Sequence, residues 1–214
     1  MDTTSFVSAL LSTQSPLLPA PWTFRLYLDL AWGLVLAALL IAIWSRRRPG
    51  SRLLLWLPPV LVLWCLLPGT FSPAYWLGLA LRAPSGVLLL LCAWSLWRHY
   101  RPQAVGPEPM QALRAWAWAL VALGWVLLLD TFALLPFSVY GWGSAPLLLG
   151  LLALVGLVPA LLWRQRAMPA LWIAVLLLYI LLRLPTGNAW DAVLDPVLWV
   201  WLQVDALRRL RRRA

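Results

Sequence analysis

Of the chain's 214 residues, 63% are hydrophobic and only 11% charged, with a mean hydropathy of +0.83. A soluble domain carries roughly 25% charged residues and has too little interior to hide so much apolar surface, so this composition excludes a water-soluble globule and predicts lipid as the solvent. The net charge of +10 does not point to nucleic acid, because every basic residue is Arg and the arginines cluster between apolar stretches, as in cytoplasmic loops of membrane proteins.

In chain order, residues 1–20 lack the pattern of a signal peptide, since Asp2 stands where a basic start is needed and the apolar run 6–11 is short. Seven apolar stretches then approach the roughly 20 residues that a spanning helix needs. They are 27–45, 53–67, 74–97, 115–130, 146–163, 169–182 and 189–207. The second contains Pro58-Pro59 and is expected to kink. The third contains Arg82 and Pro84 and reads as one broken span, or as a short interfacial helix, a turn and a stubby span. The predicted fold is an all-α integral membrane bundle of about seven transmembrane helices, with six as the alternative. It forms a single domain over residues 1–214, with an outer-side segment at 1–26, a cytoplasmic linker at 98–114 and a basic tail at 208–214.

Arginine placement predicts the orientation. With the N-terminus outside, the cytoplasmic face receives Arg46, Arg47, Arg48, Arg52, Arg98, Arg101, Arg114, Arg164, Arg166 and the five arginines of the tail. Only Arg25, Arg82 and Arg183 fall to the outer side, together with Asp2, Asp29, Asp130, Asp191 and Asp195. That bias sets N-out and C-in. The 17 Trp residues fit two interfacial belts, with Trp32 and Trp125 lying deeper as packing residues or, alternatively, an aromatic cage. Small residues at helix-packing spacing occur at Ala38/Ala42, Ala115/Ala119 and Gly150/Ala153/Gly156.

Counted at about 1.5 Å per residue from the inner interface, Asp29, Arg82, Asp130, Arg183 and Asp195 share one level, roughly 18–24 Å up. An unpaired charge at a helix centre costs about 2.5–3.5 kcal/mol on insertion scales. The five are therefore read as an intramembrane charge network facing the bundle interior, with snorkelling as the alternative. Arg82-Ala83-Pro84-Ser85-Gly86 and Arg183-Leu184-Pro185-Thr186-Gly187 also share the pattern Arg-x-Pro-[Ser/Thr]-Gly. Such a turn offers backbone N–H groups and a hydroxyl beside a guanidinium, which suits a phosphate or carboxylate. Arg82, Ser85, Gly86, Arg183, Thr186 and Gly187 are thus candidate ligands for an anionic lipid headgroup.

No catalytic set stands out. His99 is the only histidine, in the basic run Arg98-His99-Tyr100-Arg101, and neither Cys65 nor Cys92 pairs with it as a nucleophile. No metal, haem or other cofactor is expected. Seven spans with an exterior N-terminus resemble the rhodopsins, but the missing Lys removes the retinal attachment. Ala38/Ala42 looks like the Ala-x-x-x-Ala contact of the small-molecule-binding subunits of energy-coupling-factor transporters. The leading expectation is a non-enzymatic inner-membrane subunit or accessory protein of a bacterial complex, with a membrane-protein partner. The alternative is a binding or transport protein that takes an anionic lipid or small solute at the outer Arg/Asp layer, and a membrane-embedded enzyme ranks third.

Overall fold

The computed structural model describes residues 18–47, 53–101, 113–114, 116–162 and 167–211. Most of the 1–26 segment and of the 98–114 linker, the end of the basic tail, and Arg48, Arg52, Arg164 and Arg166 lie outside the described residues. Among the described residues the chain is all-helical, with nine α-helices, two 3-10 turns and no strand. They are α1 (Pro21–Arg47), α2 (Leu53–Cys65), α3 (Pro73–Leu81), α4 (Gly86–Tyr100), α5 (Ala117–Thr131), α6 (Pro146–Leu162), α7 (Ala167–Leu182), α8 (Ala189–Val193) and α9 (Pro196–Arg211).

Among the described residues one helix, over Pro21–Ser45, is long and apolar enough to cross a membrane. Leu54–Cys65, Ala117–Thr131, Pro146–Val158 and Pro169–Leu182 are apolar but shorter. Two of the expected spans are divided, each for a local reason. The stretch 74–97 becomes α3 and α4, because Pro84 has no N–H to continue the ladder and its ring would clash with the turn before it. Ser85 then caps a fresh helix by accepting the Leu88 N–H at 3.1 Å. The stretch 189–207 becomes α8 and α9, broken at Leu194 and Asp195. A residue before proline is steered out of the α region, and Pro196 suits the first position of the new helix. By contrast, α2 runs unbroken through Pro58 and Pro59.

Helix α4 is central, packing on α1, α7 and α8, while α9 lies along α5 and α6 along α7. The main core gathers Trp32, Val87, Leu91, Val175, Tyr179, Leu198 and Leu202. Ser72, Ser85, Asn188 and Asp195 are buried polar residues inside this apolar frame. The outer surface is also apolar, with Leu63, Leu79, Leu154, Leu162, Ile180 and Leu181 fully presented. Cys65 and Cys92 are free thiols.

Candidate functional site

The break between α3 and α4 meets the break between α8 and α9. Asp195 Oδ1 accepts the Leu198 N–H at 2.9 Å, capping α9, while Oδ2 accepts the Ser85 N–H at 2.7 Å. One carboxylate therefore satisfies donors at the starts of two helices, which is how an acid only 5% exposed avoids an unpaired charge. Helix α1 fixes the same turn from the other side. The Tyr27 hydroxyl donates to Pro84 O at 2.7 Å and Trp32 Nε1 donates to Arg82 O at 3.0 Å.

These contacts hold Arg82 at φ 62° and ψ −155°. That region is essentially reserved for glycine, and a side chain there strains the backbone by about 1–3 kcal/mol. The guanidinium it carries points into a pocket of about 580 Å³, whose walls include Gly124, Leu128, Asp130, Tyr140, Asp191, Asp195 and Trp199.

The segment after α5 supplies the opposite wall. Asp130 Oδ2 accepts the Tyr140 N–H at 2.6 Å and the Ser138 hydroxyl at 3.3 Å. Tyr140 in turn donates its hydroxyl to Asp191 Oδ2 at 2.8 Å, and the Thr186 hydroxyl donates to the same oxygen. Burial first, and then the Asp191 charge, push the Tyr140 hydroxyl up to about 12, so it stays a donor at any ordinary pH. Asn188 Nδ2 donates to Tyr140 O and Trp190 Nε1 to Val139 O, both at 2.9 Å, which locks this segment onto the start of α8. Gly143 permits the approach, since a Cβ there would lie 1.8 Å from Asn188 Oδ1.

The pocket thus holds three carboxylates and one guanidinium. Among the described residues Arg82 makes no ion pair with any of them, and the ion pairs found join Asp205 to Arg114 and Arg209 at the other end of α9. Asp195 is used up by its two backbone donors. Asp130 and Asp191 each engage Oδ2, and among the described residues neither Oδ1 has a hydrogen bond. The acids are too dispersed to grip one metal ion among the described residues. Their dispersal suits an organic group, and Trp199 lines the same pocket.

Of the charge layer read from the sequence, Arg82, Asp130 and Asp195 come together at this pocket. Asp29 lies on α1, one turn past Arg25, and Arg183 sits over the Tyr179 ring at 5.4 Å; neither lines it. Among the described residues no ion pair joins two of the five, and Asp130 and Asp195 are met instead by backbone N–H groups and the Ser138 hydroxyl. In the two Arg-x-Pro-[Ser/Thr]-Gly turns, the Ser85 N–H and the Thr186 hydroxyl serve the chain's own Asp195 and Asp191. Gly86 begins α4 in the core, and the carbonyl of Gly187 accepts the Tyr179 hydroxyl at 3.0 Å.

Sequence reasoning passed over Tyr27, Tyr140, Asp191 and Trp199 as site residues. Only Asp191 carried a signal, lying four residues before Asp195 and therefore one helical turn away. Compared with family models, curated proteins and solved structures, the chain matches none.

Proposed function

We propose that the chain is a multi-pass protein of the bacterial inner membrane, N-terminus out and C-terminus in, that binds a small zwitterionic solute without catalysing a reaction on it. The observation that carries this reading is Arg82, which is held in a strained backbone conformation, makes no ion pair among the described residues, and lines a pocket with two carboxylates whose hydrogen bonds use Oδ2 alone. Strain of this kind persists only where surrounding contacts enforce it, and it clusters at working sites. A pocket of about 580 Å³ falls within the range of small-molecule sites. Arg82 would take a phosphate or carboxylate group. The ligand's ammonium would lie between Asp130 and Asp191, over the Trp199 ring. The apolar exterior of the bundle supports the lipid setting.

Calorimetric titration of the purified protein with O-phosphoethanolamine tests the reading. Saturable binding is expected for the wild type and at least tenfold weaker binding for Arg82→Gln and Asp130→Asn. Unchanged affinity in both variants would sink it. Cysteine labelling that placed Ala214 outside the cell would remove the topology.

A second reading, a non-enzymatic subunit or accessory protein of a membrane complex, is favoured by one groove. Between α4 and α7, Ala93, Ala170 and Ala174 line an apolar trough beside Trp94, whose Nε1 is buried without an acceptor among the described residues. A partner helix offering a carbonyl would satisfy it. Stoichiometric co-purification of a partner, lost on Ala174→Leu, would support this role, and a chain that purifies alone would oppose it.

A further inference from the structure

The acidic pocket has a neighbour. A separate cavity of about 180 Å³ lies along the same helix, α5, between it and α4, α6 and α7. Leu120, Leu123, Leu152, Trp172 and Val193 are among its walls, and its lining is almost wholly apolar. The two voids are close neighbours in the fold. Leu123 lines the cavity and Gly124 the pocket, and likewise Val193 lines the cavity and Leu194 the pocket. On α5 the pocket residues Gly124, Leu127 and Thr131 continue the stripe that Trp116, Leu120 and Leu123 begin. The charged recess and the hydrocarbon-lined one therefore adjoin along α5 and at the end of α8. Apolar cavities of about 150 Å³ stay dry and admit a benzene-sized group, so this one has room for a short run of hydrocarbon.

We infer that the ligand of the Arg82–Asp130–Asp191 pocket is the headgroup of a zwitterionic amphiphile whose acyl chain enters the apolar cavity beside α5. The inference rests on the zwitterion reading proposed above and adds that the solute is a lipid. Two features favour the lipid source over a free zwitterion. The lining of the apolar recess is almost wholly hydrocarbon and gives a soluble metabolite little to bind. On α5 the cavity residues precede the pocket residues, which in the proposed topology puts the cavity toward the bilayer interior, where a tail would hang. The division of labour is simple: Arg82 takes the phosphate, Asp130 and Asp191 take the ammonium, and Leu120, Leu123 and Leu152 contact the tail.

The test compares three probes on the full chain in detergent by native mass spectrometry and calorimetry. The probes are lysophosphatidylethanolamine, O-phosphoethanolamine and lysophosphatidylglycerol. The cavity is filled by Leu123→Trp on α5 or, independently, by Leu152→Trp on α6. The expected result is a lysophosphatidylethanolamine affinity at least tenfold lower in both cavity variants, with O-phosphoethanolamine binding unchanged within twofold. Two variants on different helices guard against misfolding, and retained O-phosphoethanolamine binding shows in the same experiment that the pocket is intact. If lysophosphatidylethanolamine binds wild type and both variants equally, the tail site is overturned while the zwitterion pocket stands. If lysophosphatidylglycerol binds as tightly as lysophosphatidylethanolamine, the ammonium recognition is overturned. If neither O-phosphoethanolamine nor lysophosphatidylethanolamine binds the wild type, the underlying reading fails and this inference with it.

Discussion

The turns at 82–86 and 183–187 spell the same pattern, and the backbone treats them alike for two residues. Each ends a helix on an arginine at positive φ, 62° for Arg82 and 56° for Arg183, and each then places a proline. Beyond that they diverge. The first turn is pinned from α1 by Tyr27 and Trp32 and from α9 by Asp195, and its guanidinium is left facing a pocket. In the second turn Arg183 lies over the Tyr179 ring, Thr186 serves Asp191, and a five-residue helix follows. The shared pattern ends a helix on an arginine at positive φ, whereas neighbours distant in sequence decide whether that arginine lines a pocket or packs on a ring.

The sharpest way to break the comparison is to remove each turn's carboxylate. Asp195→Ala strands two backbone N–H groups, those of Ser85 and Leu198, in a buried site. An unsatisfied buried donor costs about 1–3 kcal/mol, so a loss of roughly 2–5 kcal/mol is expected. Asp191→Ala strands the Tyr140 and Thr186 hydroxyls, which are half-buried and can rotate toward water, so roughly 1–2 kcal/mol is expected. Equilibrium unfolding in detergent measures both, and equal losses would show that the two turns carry equal structural weight.

A smaller effect separates what was legible in the sequence from what was not. The break at Pro84 follows from local chemistry, whereas 189–207 reads as a single span although Pro196 starts a new helix there; Arg82, Asp130 and Asp195, counted to one level along the helices, line one pocket. The bond from Ser85 to Asp195 joins residues 110 apart, and no spacing rule reaches that far. The segment 132–145 has no period, so Tyr140 looked like any loop aromatic. Small-residue spacing picked out Gly156, where an added Cβ would lie 1.8 Å from Trp172 Nε1, but also Gly150, where it would meet nothing, and overlooked Gly124, where it would lie 2.2 Å from Trp199 Nε1. That indole enters the notch at Gly124 and donates to Val121 O at 3.1 Å. A notch matters only when a facing ring fills it, and the facing ring belongs to another helix. Gly124→Ala should therefore cost about 1–3 kcal/mol and displace the pocket wall. Gly150→Ala should stay within about 0.5 kcal/mol, as surface changes usually do. Thermal melts with Trp fluorescence would read both.

The finest distinction between the turns is what each arginine does for its own backbone. Replacing Arg82 with Gly removes a side chain from a conformation that favours glycine, and it breaks no ion pair among the described residues. Relief of strain should raise stability by about 1 kcal/mol, even though the mutation deletes a charged residue from the pocket. Arg183→Gly relieves a similar positive φ but forfeits the cation–π contact with Tyr179, worth about 0.5–1 kcal/mol, so the two terms nearly cancel. A gain at 82 that accompanies loss of zwitterion binding, beside no net change at 183, would mark the first arginine as kept for its ligand at the expense of the fold. Loss of stability at 82 would mean that the guanidinium holds the turn together, and the two arginines would then share one structural role.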